Sequence, residues 1–163
     1  MTRLIALAMT LLIALAAPVF AKTTDDADIT FNSYEVTGET LAEVQDAMGR
    51  DGPRGFWAYT TWSVTWTADC ETTVTGDITM PELSPDADLT DEDIAEFDRM
   101  AEALLAHELQ HVDFGIAYAA DVADQGCPAN SDEILQPYLE DERSFDAETE
   151  HGYLQGVYLN TEE

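Results

Sequence analysis

The 163-residue chain carries 34 Asp and Glu against 6 Lys and Arg, a formal net charge of −28 at pH 7. Repulsion by phosphate excludes unaided nucleic-acid binding, and an anionic membrane surface is disfavoured for the same reason. The acids are spread along the whole chain, so they read as a solvated coat ahead of a trap for cationic substrates.

Met1-Thr2-Arg3 is a short positive segment, Leu4 to Ala17 is apolar without a charge, and Val19-Phe20-Ala21 has small-residue cleavage character. Residues 1–21 therefore read as a secretory signal peptide. The apolar run is shorter than the roughly 20 residues a membrane span needs. The expected mature chain, residues 22–163, is one domain, periplasmic or secreted, with no stable membrane association after cleavage.

Lys22 to Asp28 is polar and reads as a loose terminus, and Phe31 to Val36 as a strand ended by Gly38. Thr40 and Glu43 form a capping box for a helix that carries Leu41, Val44 and Met48 on one side. Gly49 to Gly55 is a turn. From Trp57 to Ala68 the pattern has period two, with Ala58, Thr60, Trp62, Val64 and Trp66 on one face, which predicts a strand. A second strand over Thr72 to Met80 makes an antiparallel hairpin with it. Pro81 and Pro85 break the pattern and open a linker.

Thr90 caps a long helix with acids in its first turn. Its apolar face runs Ile94, Phe97, Ala101 and Leu104, then on through Glu108, His111 and Gly115 to about Asp124. Gly126-Cys127-Pro128 stops it. Ser131-Asp132-Glu133 opens a last helix to about Thr149, with Pro137 as a kink point. The tail from His151-Gly152 to Tyr158 is expected to pack back on the core. Two cysteines behind a signal peptide, Cys70 and Cys127, suggest one disulfide joining a β-rich half to a helical half.

The sharpest signal is His107-Glu108-Leu109-Gln110-His111. Residues four apart on a helix lie one turn above each other, so His107 and His111 can face one metal ion while Glu108 faces a water on it. Zinc takes imidazole nitrogen, lowers the pKa of its water, and a carboxylate accepts the proton; this is the metallopeptidase reading of the motif. Two His and a Glu on an inward face without partners would cost several kcal/mol, which a metal relieves. For the third ligand, His151 is favoured, since Gly152 beside it lets the backbone turn and present the ring. Asp146 is the alternative, either as ligand or orienting a ligating His. Glu142 and Asp146 also share the Glu-x-x-x-Asp spacing of peptidases with a Glu ligand. The extended His-Glu-x-x-His-x-x-Gly-x-x-His form is absent, since Asp113-Phe114-Gly115 and Ala117 replace it. The aromatic strand with Trp57, Tyr59, Trp62 and Trp66 reads as core and sheet face rather than a sugar platform; its edge could also accept an extended substrate.

A family resemblance rests on Tyr34-Glu35-Val36-Thr37-Gly38, Gly55-Phe56-Trp57-Ala58-Tyr59-Thr60-Thr61-Trp62 with Trp66, and Cys70. It continues through Leu105-Ala106-His107-Glu108-Leu109-Gln110-His111, then Phe145-Asp146, Thr149, His151-Gly152 and Gln155-Gly156. The chain resembles the bacterial domain-of-unknown-function 922 family, described as predicted secreted zinc-dependent proteases. The resemblance implies the fold and the zinc motif. One departure is Phe145, where the pattern leads one to expect Tyr, a change expected to touch no ligand.

The expectation is an α+β, zincin-like metallopeptidase domain: a small antiparallel sheet packed on the zinc helix and a C-terminal helix. Zinc would be held by His107, His111 and His151, with Glu108 as general base and a peptide or protein as substrate. Two alternatives stay open: a zinc-stabilised binding module without turnover, and a zinc amidase acting on cell-wall peptides.

Overall fold

In a computed structural model, residues 27–161 are described. The expected signal peptide, residues 1–21, lies outside them. The elements in chain order are β1 (Asp28–Val36), α1 (Leu41–Asp51), β2 (Tyr59–Trp66), β3 (Thr72–Leu83), α2 (Asp91–Asp124) and α3 (Ser131–Thr149). Short 3₁₀ turns cover Pro53–Gly55 and Tyr153–Gln155. The architecture is α+β, as expected.

The sheet itself is mixed where an antiparallel one was expected. Its order is β1-β3-β2; β2 and β3 form the expected antiparallel hairpin, but β1 runs parallel to β3. A parallel neighbour requires a crossover of a dozen or more residues. The stretch from α1 through β2 provides it, a topological fact that strand periodicity does not encode. β3 also runs on through Pro81 to Leu83. Its pairing with β2 ends at Thr79, so beyond that point β3 is flanked by β1 alone. Proline is tolerated where one side of the ladder is open.

The Thr90 cap is realised, and the Thr40 capping box in part, since Glu43 Oε2 accepts from the Glu39 amide rather than from that of Thr40. The Thr40 hydroxyl accepts from the Glu43 amide at 3.3 Å. Thr90 and Asp93 exchange a reciprocal pair at the start of α2. That helix of 34 residues is about 50 Å long at 1.5 Å per residue and serves two hydrophobic clusters. Its first half puts Phe97, Met100 and Leu104 against α1, Val36, Ala58 and the tail residues Val157 and Leu159. Its second half puts Val112, Ile116 and Ala119 against Val74 and Ile78 of β3. Ile94, expected on the inward face, is exposed. The His-Glu-x-x-His segment falls between the two clusters, so its side chains are carried into the interior by packing on both sides.

Cys70, after β2, and Cys127, after α2, form the expected disulfide with Cα atoms 5.6 Å apart. α3 lies along α2 with no fully buried residue of its own.

Candidate metal centre

His107, Glu108 and His111 are the buried polar residues among those described. Helical spacing places both imidazoles on one face, with ring centroids 5.0 Å apart and Nε2 atoms 3.4 Å apart. α3 brings Asp146 to them: its Oδ1 lies 3.3 Å from His107 Nε2 and 3.2 Å from His111 Nε2. The other ring nitrogens are engaged from outside. His107 Nδ1 meets Gln155 Oε1 at 2.8 Å, and His111 Nδ1 meets Glu142 Oε1 at 3.2 Å.

These contacts decide what the centre can hold. Both outer partners are oxygen acceptors; with the ring hydrogen on each Nδ1, the Nε2 lone pairs turn inward. Three lone-pair atoms then face one another with no hydrogen between them. Such a buried arrangement is costly until a cation sits among them. Ligand atoms of His107, His111 and Asp146 all lie within 4.8 Å of one another, a set that fits a metal ion. Two imidazole nitrogens and a carboxylate oxygen are donors that zinc accepts, leaving a fourth position open. Burial alone would lower the His111 imidazole, but the Glu142 hydrogen bond and the Asp146 and Glu108 charges outweigh it and hold it above 6.5. A proton therefore competes with a metal for this position.

Of the sequence-derived site residues, the structure joins His107, His111 and Asp146 and leaves His151 outside the group. Glu150 and His151 both adopt left-handed backbone, with φ of 52° and 53°, followed by Gly152 at 84°. This turn swings the His151 ring to the surface, where its side chain is 61% exposed and Nδ1 is 3.7 Å from Asp146 Oδ2. Its ring lies 5.6 Å from that of Phe56. Gly152 matters for a different reason from the one expected. A Cβ on it would come within 2.7 Å of Val157 Cγ2 and 3.2 Å of His107 Cγ, so its bare Cα lets the tail close against the first histidine.

Phe145 corrects another expectation. Far from touching no ligand, its ring stacks on His107 at 4.8 Å and meets His111 edge-on at 5.4 Å. It shields the imidazoles with an apolar face, a role that no local sequence signal announces. Gln155 was likewise not assigned a contact. It acts from a 3₁₀ turn 48 residues from His107, a distance that only the folded tail closes.

The centre opens into a cleft of about 710 Å³. β2 and the residues before it form one wall, including Trp57 and Tyr59; Leu135 and Leu139 of α3 form the other, and Tyr153 and His151 stand at the tail end. Glu108 lines the same cleft. Burial pushes its carboxyl above 4.5, against the opposing pull of Thr60 and the two imidazoles. The Thr60 hydroxyl donates to the Glu108 backbone carbonyl at 3.3 Å, tying α2 to β2 beside the centre. No helix among the described residues is long and apolar enough to cross a membrane.

The family described as "Bacterial protein of unknown function (DUF922)" matches residues 31–152, a stretch that contains the sheet, the helices and the whole His107-His111-Asp146 group. No curated protein and no solved structure matches the chain.

Proposed function

The chain belongs to this bacterial family of unknown function, and from the chemistry of its centre we propose that it is a zinc-dependent peptidase of the periplasm or the cell exterior. The observation that carries this reading is the convergence of His107, His111 and Asp146 in an open cleft beside the buried carboxyl of Glu108. A closed structural site would not need a substrate-sized cleft or a further carboxyl in its wall.

His107 Nε2, His111 Nε2 and Asp146 Oδ1 would hold the ion. Zinc bound there supplies a Lewis acid and brings the pKa of water down to about 7. Glu108 takes a proton from the attacking water as its oxygen bonds to the scissile carbonyl carbon. It then delivers that proton to the amine nitrogen as the C–N bond breaks. A carboxyl raised by burial suits both halves of this exchange. The outer edge of β2 has no strand partner among the described residues, so an extended peptide has backbone groups to pair with along the cleft. Phe145 keeps water from the rear of the two imidazoles. The disulfide supports an oxidising compartment.

The test uses the mature, disulfide-bonded protein loaded with zinc and a broad peptide library at neutral pH. Chelator-sensitive cleavage is expected. Glu108→Gln keeps the shape and the metal but cannot take the proton, so turnover falls by roughly 10²-fold or more. Equal cleavage by Glu108→Gln and wild type would overturn the assignment of Glu108, and wild-type protein that takes up no zinc would overturn the metal.

A further inference from the structure

Glu142 is the sole described carboxylate on the outer nitrogen of His111, yet it comes from α3, where nothing is fully buried. Burial therefore does not hold its side chain in one rotamer. What holds it is a residue on another element. Trp62 of β2 points its Nε1 at the same oxygen, Glu142 Oε1, at 3.2 Å. To reach it the indole must cross α2, and it does so at Gly115. A Cβ there would lie 2.9 Å from both Cδ2 and Cε3 of the indole. Gly115 is one helical turn beyond His111, so the ring lies along the face that carries the metal group. Tyr118 backs the ring with its centroid 6.0 Å away.

We propose that Trp62 is a positioning residue of the metal centre: across the bare Cα of Gly115 its indole fixes the Glu142 carboxylate that orients His111. The inference rests on the zinc reading and deepens it. Its logic lies in the donor inventory. An indole has one N–H and no acceptor, so it can only donate. A carboxylate oxygen only accepts, so while the indole N–H holds Glu142 Oε1 beside Nδ1, His111 keeps its own hydrogen on Nδ1. The Nε2 lone pair is then committed towards Asp146 and His107. Without the indole N–H the carboxylate is free to leave Nδ1, and the tautomer is no longer committed. Outer partners of this kind typically govern 10- to 100-fold of metal affinity.

Zinc affinity is measured by competition with a chromophoric chelator on the mature, disulfide-bonded protein. The His111 tautomer is read from imidazole ¹⁵N shifts in the metal-free protein. Trp62→Phe keeps a ring over Gly115 and loses the N–H. It is expected to bind zinc about tenfold or more weakly and to show a mixed His111 tautomer at unchanged fold. Gly115→Ala displaces the indole from a position that touches no ligand. It should also weaken zinc while leaving the helix intact, since alanine is the better helix former. If Trp62→Phe does not fold, Glu142→Gln leaves the indole packing in place and should show the same two changes. Zinc affinity within about twofold of wild type, with the Nδ1–H tautomer retained, would overturn the proposal. Wild-type protein that binds no zinc would overturn the peptidase reading instead. The tautomer would then decide the inference alone: mixed in Trp62→Phe supports it, unchanged refutes it.

Discussion

Asp146→Ala and His151→Ala together test which residue completes the centre. Asp146 Oδ1 stands 3.2 and 3.3 Å from the two imidazole nitrogens, inside the group that a single ion can span. His151 offers Nδ1 only to the far oxygen of Asp146, at 3.7 Å, from a side chain 61% exposed. Structural zinc sites bind with about 10–16 kcal/mol shared over four ligands, or roughly 2.5–4 kcal/mol each. At 1.4 kcal/mol per decade, losing Asp146 should weaken zinc on the order of 10²–10³-fold. The His151 ring, as an outer and solvated neighbour of Asp146, should be worth less than about tenfold. Isothermal titration with zinc, backed by chelator competition where binding is tight, measures both. Circular dichroism checks that each variant folds. A loss in His151→Ala equal to that in Asp146→Ala would refute the ligand assignment made from these distances. So would an Asp146→Ala protein that binds zinc like wild type.

Other outcomes follow from features away from the ligands. Replacing Cys70 and Cys127 together by Ala opens a loop with a sequence separation of 57, and denaturant unfolding should show a loss of roughly 4 kcal/mol by loop entropy. An unchanged midpoint would mean that the unfolded chain is not constrained by this bridge. The Arg99 guanidinium, helped by Asn160 and against the effect of burial, pulls Glu96 from 4.5 to about 2. Because its folded pKa is depressed, the stability from Glu96 is present above pH 4.5 and lost as pH falls through about 2. Melting curves from pH 6 to pH 2 should therefore drop more steeply for wild type than for Glu96→Gln, and parallel curves would contradict this. Gly152→Ala forces a side chain into φ +84° and to 2.7 Å from Val157 Cγ2. It should cost roughly 1–3 kcal/mol and weaken zinc through the displaced His107 ring; a neutral effect on both would show that the tail yields freely.

The difference between Asp146 and His151 also marks where sequence reasoning stopped. The pairing of His107 with His111 was legible because four residues along a helix make one turn, whatever the rest of the chain does. The caps at Thr40 and Thr90, the alternation of Ala58, Thr60, Trp62 and Val64, and the disulfide between the two cysteines were legible too. Each depends on contacts within a few residues or on there being one possible partner. The direction of β1 was not, since parallel or antiparallel entry depends on the path of the crossover and leaves no mark on strand composition.

The third member of the centre depends on chain 35 to 40 residues beyond His111. Both Asp146 and His151 have ligand chemistry, and composition ranks them by donor type alone. Tertiary structure separated them through two placements: α3 lies along α2 at the height that brings Asp146 to the Nε2 atoms, and left-handed backbone at Glu150 and His151 turns the next ring outward. Gln155 and Phe145 reach the histidines, and Trp62 reaches Glu142 behind His111, in the same way, from three different elements across a packed interior. By itself the sequence determined the two histidines, the acid between them and the local elements, since short-range geometry controls those. The third ligand candidate and the shell around all three were decided only by the fold, because their distances are set by helix packing and backbone turns, which no spacing along the chain records.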